Sequence, residues 1–201
     1  NINGNFSISI WGDNSVIYIG DNCRLDGLRI NSNQKNDLVA IGNHVTTTAR
    51  NTWISGKGAG KNRPVLVIGD DCMFAYDIVI RNTDEHPIFQ IEDEVQINSP
   101  SSGVIIEPHC WICEQVNILK DVYIGANSIL SLGATVTNSI PSYSIAKGIP
   151  AKVSSTEKVF WARENSSWAI EKAKRYYEKY LSYKMTKNEN KIDNCLTSES
   201  N

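Results

Sequence analysis

The chain has 201 residues, of which 41% are hydrophobic and 21% charged, so it can bury a core as one domain, with or without an appendage. Its formal net charge of -2 gives no broad positive field, which argues against nonspecific binding to nucleic acid or to an acidic membrane. No apolar stretch approaches the roughly 20 residues that span a bilayer, and residues 1–10 lack the pattern of a signal peptide. We therefore expect a soluble, cytoplasmic protein.

A short phrase recurs in the first half of the chain. It reads IGDNC at 19–23, IGNHV at 41–45 and IGDDC at 68–72. Glycine, asparagine and aspartate tolerate the backbone of tight corners, so each phrase predicts a short strand followed by a corner.

Residues 55–62, SGKGAGKN, superficially resemble a phosphate-binding loop. Lys61 is followed by Asn62 rather than by Ser or Thr, and the glycine spacing does not match that of the motif. We expect a surface loop here.

Segment 82–103 breaks the regular pattern. It is polar, contains two prolines and ends in a Ser/Gly cluster, which indicates a loop that protrudes from the regular structure. Loops of this length with little structure of their own are usually functional or disordered. The loop carries His86 near its base, which makes that end the first candidate for function.

Beginning at Ile106, six consecutive units of six residues follow: IEPHCW, ICEQVN, ILKDVY, IGANSI, LSLGAT and VTNSIP. Every first position is a large aliphatic residue, and every fifth position is small or β-branched. Helices repeat near 3.6 residues and strands near 2, so neither explains a period of six. A short strand plus a corner does explain it, and the repeat predicts a solenoid with the first position inside.

The C-x-x-C at Cys110 and Cys113 lies within this repeat and lacks a second Cys or His pair, so we expect reduced structural thiols rather than a redox or zinc site. His44 and His109 fall at corner positions and are predicted to be structural.

After the repeat, residues 145–153 close the coil, and an amphipathic helix with an aromatic stripe is predicted over 157–184. We expect it to pack against the coil or a neighbouring subunit. The predicted organisation is a coil domain at 1–153 with a loop at about 82–103, a helical segment at 154–185, and a polar, disordered tail at 186–201.

These repeats resemble the hexapeptide-repeat family over about residues 15–153. The resemblance implies an all-β solenoid, a left-handed parallel β-helix with three sixes per coil, a protruding loop and a C-terminal α-helix. The handedness rests on the resemblance alone.

Three motifs in order, TDEHPI at 83–88, EPHCWI at 107–112 and AKGIPAKV at 146–153, resemble the O-acetyltransferase branch of that family. The first two look similar to those of sialic-acid polymer O-acetyltransferases. The resemblance implies transfer of acetyl from acetyl-CoA to a carbohydrate hydroxyl, with sialic acid in a capsular polysaccharide or related glycan as the leading acceptor.

In this interpretation His86 is the general base, because an imidazole with a pKa of about 6.5 can take the proton of an attacking hydroxyl. Asp84 either orients the imidazole or caps a turn. Trp111 is placed beside the acyl donor, where its backbone or indole N–H would donate to the thioester or the developing oxyanion.

The resemblance also implies a homotrimer with donor channels between subunits and no metal. The matching positions for acetyl-CoA are Glu114, Leu132, Gly133, Thr137, Lys147 and Lys152. Two positions depart from the family pattern. Glu114 replaces a small residue, and Ser155 stands where a basic residue is frequent, with Lys158 as a substitute.

Three alternatives stay open. An N-acyltransferase of a nucleotide-linked amino sugar would use the same base and donor, and a non-catalytic β-helix scaffold would bind no CoA. Some left-handed β-helices are zinc carbonic anhydrases with three histidines, but no second histidine stands four or five residues from His109.

Overall fold

The structure is a computed structural model that describes residues 1–56, 64–155 and 159–179. The chain divides into two compact units, Asn1–Lys158 and Val159–Asn201. Most of the predicted loop at 55–62, Lys158 and the predicted tail at 186–201 lie outside the described residues.

The first unit is built from short strands. The nineteen strands in its described residues, numbered in chain order, are β1 (Ile2–Asn3), β2 (Ser7–Ile10), β3 (Val16–Ile19), β4 (Cys23–Leu25), β5 (Leu28–Ser32), β6 (Leu38–Ile41), β7 (Thr46–Ala49), β8 (Asn51–Ser55), β9 (Val65–Ile68), β10 (Met73–Tyr76), β11 (Val79–Arg81), β12 (Gly103–Ile106), β13 (Trp111–Ile112), β14 (Asn117–Ile118), β15 (Val122–Ile124), β16 (Ile129–Leu130), β17 (Thr135–Val136), β18 (Ile145–Lys147) and β19 (Lys152–Ser155).

Successive strands step around three sheets. Sheet A has the order β1-β4-β7-β10-β13-β16-β18-β19, sheet B the order β17-β14-β11-β8-β5-β2, and sheet C the order β15-β12-β9-β6-β3. The paired strands are parallel except β18 and β19, which are antiparallel. The chain therefore winds as a parallel β-helix, with one strand of each coil in each sheet.

The first position of each hexapeptide unit fills the interior of the coil. Ile112, Ile118 and Ile124 are completely buried. In register, Ile112 pairs with Phe74 and Ile118 with Ile80, so inward side chains stack from coil to coil. Burying a side chain of this size contributes about 1.5–3 kcal/mol, which makes this stack the main source of stability.

The fourth position of the unit turns the corner in a left-handed backbone conformation. The φ angle is +57° at His109, +59° at Gln115 and +58° at His44. This conformation costs about 1–2 kcal/mol for a residue with a Cβ, a cost that the buried neighbours offset. His109 Nδ1 also lies 2.8 Å from Asp71 Oδ2, and both side chains are buried. The predicted corner positions of both histidines are therefore confirmed.

In the second unit, residues 167–179 are helical. The helix begins ten residues after position 157, where the apolar stripe predicted its start. Ser166 sets the boundary, because its hydroxyl accepts a hydrogen bond from the Ala169 N–H at 3.2 Å in the N-cap arrangement.

We predict that Ile118→Ala lowers the free energy of unfolding by about 2–5 kcal/mol, because it opens a cavity in the stacked interior. The adjacent Leu119 is 36% exposed, so Leu119→Ala is the matched control and is expected to cost well under half as much. Urea unfolding of both variants measures the difference. Equal losses would show that the inward stack does not dominate stability.

Candidate active site

The protruding loop leaves sheet B after Arg81 and enters sheet C at Gly103. It is more ordered than its composition predicts, because its middle forms a small hairpin. The Ile97 N–H donates to Ile88 O and the Gln90 N–H to Val95 O, both at 2.9 Å. The loop therefore has structure of its own on the corner between sheets B and C.

A buried amide fixes the point where the loop departs. The Asn82 side chain is fully buried, donates to Ser55 Oγ at 2.7 Å and accepts from the Gly56 N–H at 2.9 Å. Ser55 in turn donates to the Asp37 carboxylate at 2.7 Å. This network ties the start of the loop to two earlier coils, four residues before His86.

His86 is exposed at the base of the loop. Its N–H donates to Asp84 O at 2.8 Å, and its carbonyl accepts from Asn98 Nδ2 at 2.9 Å. Among the described residues, the imidazole itself makes no hydrogen bond. The backbone of His86 is thus held on both sides, while the ring is available to another molecule.

Asp84 does not contact the His86 ring in this structure. Its carboxylate accepts hydrogen bonds from Asn98 Nδ2 at 2.9 Å and from the Lys120 ammonium. The orienting role proposed for Asp84 has no support in these contacts and stays a prediction. The observed bonds instead place Asp84 in the anchor of the loop.

The returning end of the loop is held by Asp121, the residue after Lys120. Its carboxylate accepts from the N–H groups of Ser101 and Ser102 at 2.8 Å and of Gly103 at 3.1 Å. Burial alone would raise the pKa of the Asp121 carboxyl, but these three donors together hold it below its usual value of 3.8. The corner at 120–121 therefore contacts both ends of the loop.

Trp111 lies on β13 in sheet A, half-buried, between Met73 and Ile129 of the neighbouring coils. Its backbone N–H donates to Ser128 O at 2.9 Å, so this donor is committed to the sheet. Of the two donors predicted for Trp111, the backbone N–H is excluded because the ladder already uses it.

The predicted donor residues fall on two parts of the coil. Glu114, Leu132 and Gly133 lie at the corner that follows the sheet A strands, where the Gly133 N–H donates to Glu114 O at 2.9 Å. Thr137 follows β17 at the corner between sheets B and C and accepts a hydrogen bond from Asn138 at 3.0 Å. Gly133 has φ of +71°, which explains glycine at that position.

Lys147 and Lys152 stand directly opposite each other in the antiparallel pair of β18 and β19. Both are exposed, and neither forms an ion pair within the described parts of the chain. Like charges on opposite cross-strand residues, about 5 Å apart at Cβ, are unfavourable. An arrangement that costs stability but concentrates positive charge is suited to binding an anion.

The thiols of the C-x-x-C are poor nucleophiles and poor metal ligands. Burial raises the pKa of Cys113 to about 11 and that of Cys110 well above its usual value. Cys110 Sγ also donates to Gly125 O at 3.3 Å. Because thiolate is the reactive form, these values favour the predicted structural role.

Within one chain the structure does not bring His86 and Trp111 together. His86 lies at the corner between sheets B and C, whereas Trp111 lies on sheet A, which is the opposite face of a three-sided coil. Leu132 and Gly133 follow sheet A strand β16, so they share Trp111's side of the coil. Trp111, Leu132 and Gly133 are therefore grouped on one side of the coil, and His86 lies on another.

Sequence reasoning missed the residues that anchor the loop. None of the three motifs TDEHPI, EPHCWI and AKGIPAKV contains Asn98, Lys120 or Asp121, and the partners of these residues are distant in the chain. The sequence carries a weak indication of this anchor at Lys120 and Asp121. These two charged residues occupy corner positions of the unit ILKDVY, next to the place where the loop joins the coil. Their contacts became visible only in the structure.

Comparison with solved structures shows that other proteins share this fold. No family model matches it. Over nearly its full length it superimposes on the crystal structure of the polysialic acid O-acetyltransferase OatWY, with a TM-score of 0.59, 24% identity, and coverage of 88% of this chain and 98% of that one. It also superimposes on AntD, an N-acyltransferase from Bacillus cereus in complex with dTDP and 3-hydroxybutyryl-CoA, with a TM-score of 0.54, 18% identity, and coverage of 90% and 91%. The predicted left-handed parallel β-helix is confirmed.

Sequence comparison identifies relatives with higher identity than these structures. The chain is 35% identical over 146 residues to a polysialic acid O-acetyltransferase of Escherichia coli O1:K1, a match that covers 72% of this chain and 47% of the relative. It is 31% identical over 128 residues to the enzyme of the same name from Neisseria meningitidis, covering 56% and 59%. The predicted resemblance to sialic-acid polymer O-acetyltransferases is confirmed, and the chain spans about half the length of these relatives.

In the described part of the chain, no helix is both long and apolar enough to cross a membrane.

We predict that Asp121→Asn destabilises the loop near neutral pH, and that the effect fades in acid. The depressed pKa of Asp121 means that its contribution is present above the usual value of 3.8 and is lost as the pH falls through the folded-state value. Thermal unfolding of the parent and the variant as a function of pH measures this, with Asp93→Asn in the same loop as the control. A difference that does not change with pH would contradict the assignment.

Proposed function

We propose that the protein is an acetyl-CoA-dependent O-acetyltransferase that acts on a carbohydrate hydroxyl, with sialic acid in a capsular polysaccharide or related glycan as acceptor. The observation that carries the proposal is His86, whose backbone is held on both sides while its exposed ring makes no hydrogen bond to the described residues. The confirmed resemblance to polysialic acid O-acetyltransferases supports the same chemistry.

In the proposed reaction the neutral His86 imidazole removes the proton of the acceptor hydroxyl as the oxygen attacks the thioester carbon. The carbonyl oxygen gains negative charge in the tetrahedral intermediate, and we assign the indole N–H of Trp111 to stabilise it. The C–S bond then breaks, and His86 returns its proton to the departing thiolate. The products are an acetyl ester and coenzyme A, and His86 ends neutral.

The donor end of the proposed site fits a polyanionic co-substrate. Lys147 and Lys152 carry two unopposed positive charges side by side, on a chain whose net charge is -2. Ammonium groups pair with phosphate oxygens through charge-assisted hydrogen bonds, so we assign these lysines to the phosphates of acetyl-CoA. Leu132, Gly133 and Thr137 are assigned to the remainder of the donor, with Glu114 at the same corner as Gly133.

We further propose a homotrimer with three sites, each between two subunits, in the cytoplasm, where acetyl-CoA is available. The opposite placement of His86 and Trp111 supports a shared site. So does the exposure of apolar side chains on the hairpin, which reaches 92% at Ile91, because surfaces of this kind are usually covered in the working assembly.

An N-acyltransferase of a nucleotide-linked amino sugar is the second candidate. The likeness to AntD supports a shared fold, and an amine acceptor would need the same base and the same donor site. The two candidates differ only in the acceptor, so an acceptor panel separates them.

We predict that His86→Ala lowers kcat for acetyl transfer by about 10²–10⁴-fold, because general base catalysis contributes that much. Thiol release from acetyl-CoA is followed with sialylated oligosaccharides, simple galactosides and amino sugars. Glu92→Ala in the same loop is the matched control and is expected to keep parental activity.

Turnover that requires a sialylated acceptor supports the proposal in full. Turnover only on a nucleotide-linked amino sugar would support the N-acyltransferase instead of the O-acetyltransferase. Full activity of His86→Ala overturns the base assignment, and absence of both turnover and CoA binding in the parent favours a scaffold.

We also predict that Lys147→Met and Lys152→Met each weaken acetyl-CoA binding by roughly tenfold, the loss of about one charge-assisted contact. Neither variant is expected to lower the unfolding temperature, because each removes a like-charge repulsion. Calorimetric titration with acetyl-CoA measures the Kd. Lys35→Met, which breaks a surface pair with Asp13 at 3.2 Å, is the control. Unchanged affinity in both variants would place the phosphates elsewhere.

A further inference from the structure

We propose that Asn98 and Lys120 are positioning residues that hold His86 in place for acetyl transfer. The inference rests on the proposed function, because it assigns a catalytic purpose to contacts at the base of the loop. Neither residue belongs to the motifs TDEHPI, EPHCWI and AKGIPAKV, and neither contacts the imidazole.

The Asn98 side chain bridges three alternate residues on the outgoing arm of the loop. Its Nδ2 donates to Asp84 Oδ2 and to His86 O, both at 2.9 Å, and its Oδ1 accepts from the Ile88 N–H at 2.8 Å. Two of these contacts are to backbone groups, of His86 and Ile88, and the third is to the carboxylate of Asp84. His86 is the middle residue of the three.

Lys120 connects this bridge to the coil. Its ammonium donates to Asp84 Oδ2 and, at 2.9 Å, to Asn98 O, so it contacts both arms of the loop at once. The side chain is 22% exposed, which reduces the solvent screening of its charge. β11 pairs with β14 through Ile80 and Ile118, and continuing this register places Lys120 beside Asn82, where the loop departs.

A mobile loop by itself is a poor support for a general base. Productive geometry has to be kept within about 0.5 Å, and sites on loops are less defined than sites on regular elements. Here the His86 N–H is held by Asp84 O at 2.8 Å, its carbonyl is held by Asn98, and Asp84 is held by Lys120. These contacts leave mainly the side-chain torsions of His86 free, and they transfer the rigidity of the coil to its backbone.

This arrangement also gives Asp84 a role that its sequence position did not suggest. The carboxylate lies two residues before the proposed base, yet its described partners are Lys120 and Asn98. Asp84 acts on the backbone of the loop, and through the backbone on the location of the ring.

The test compares Asn98→Asp and Lys120→Met with their matched variants. Asn98→Asp keeps the acceptor for the Ile88 N–H but removes both Nδ2 donations and adds a charge beside Asp84. Gln90→Glu makes the same chemical change at the hairpin turn and is the control. Lys120→Met keeps the aliphatic stem without the ammonium, and Lys120→Arg restores the charge.

Two readouts are needed. Amide hydrogen exchange by mass spectrometry, on peptides that cover 82–98, measures whether the loop base is held. Steady-state kinetics with acetyl-CoA and the preferred acceptor separates kcat from KM. Misplacement of a catalytic group by about 1 Å costs on the order of 100-fold, so we expect kcat to fall by roughly 10- to 100-fold with the KM for acetyl-CoA unchanged.

We expect faster exchange of the loop in Asn98→Asp and Lys120→Met, parental exchange and kcat in Gln90→Glu, and recovery of most of kcat in Lys120→Arg. Faster exchange with parental kcat in both variants would overturn the positioning role while leaving the proposed function intact. A parent that releases no thiol with any acceptor would overturn the proposed function, and the exchange data would still report on the anchor itself.

Discussion

The stacking of large aliphatic side chains inside the coil is the constraint on which the rest of the structure depends. The coil closes because every sixth residue points inward and corner residues such as His109 and Gln115 adopt a left-handed conformation. The buried stack repays the cost of those corners, because each inward side chain contributes about 1.5–3 kcal/mol against about 1–2 kcal/mol for a corner. Substitution at an inward position is therefore felt across coils, whereas an outward or corner position is free to carry function.

The proposed catalytic base lies where the repeat is interrupted. The loop departs between sheets B and C, and Asn82 attaches its start to the coil. Lys120 holds it through Asp84 and Asn98, and Asp121 holds its end. The two adjacent residues of one corner carry opposite charges, and Lys120 contacts both arms of the loop while Asp121 contacts its returning end. A rigid coil thereby defines the position of His86 without any regular element in the loop base.

The period of six was enough to predict the solenoid, the inward positions and the corner positions of the two histidines, because these depend only on local spacing. The anchor of the loop was not predictable in the same way. Lys120 meets Asp84 across 36 residues, a contact that exists only once the register of β11 and β14 is known. From sequence, Asp84 was therefore assigned either to the imidazole of His86, two residues later, or to a turn cap. The backbone N–H of Trp111 was considered free because pairing with Ser128 depends on the same coil register. The start of the helix was missed because Ser166 caps it inside a stretch whose apolar stripe begins earlier.

The proposed function depends on a site that is shared between subunits, because His86 and Trp111 lie on opposite sides of one coil. The most direct test is complementation between His86→Ala and Trp111→Ala chains, each inactive alone, after joint refolding or coexpression. With random mixing of equal amounts, about three quarters of the cyclic trimers contain both chains, and each of these has one intact pair of His86 and Trp111 among its three sites. We therefore expect about a quarter of parental activity. Mixed trimers that form but stay inactive would contradict a shared site and would require both residues to act within one chain.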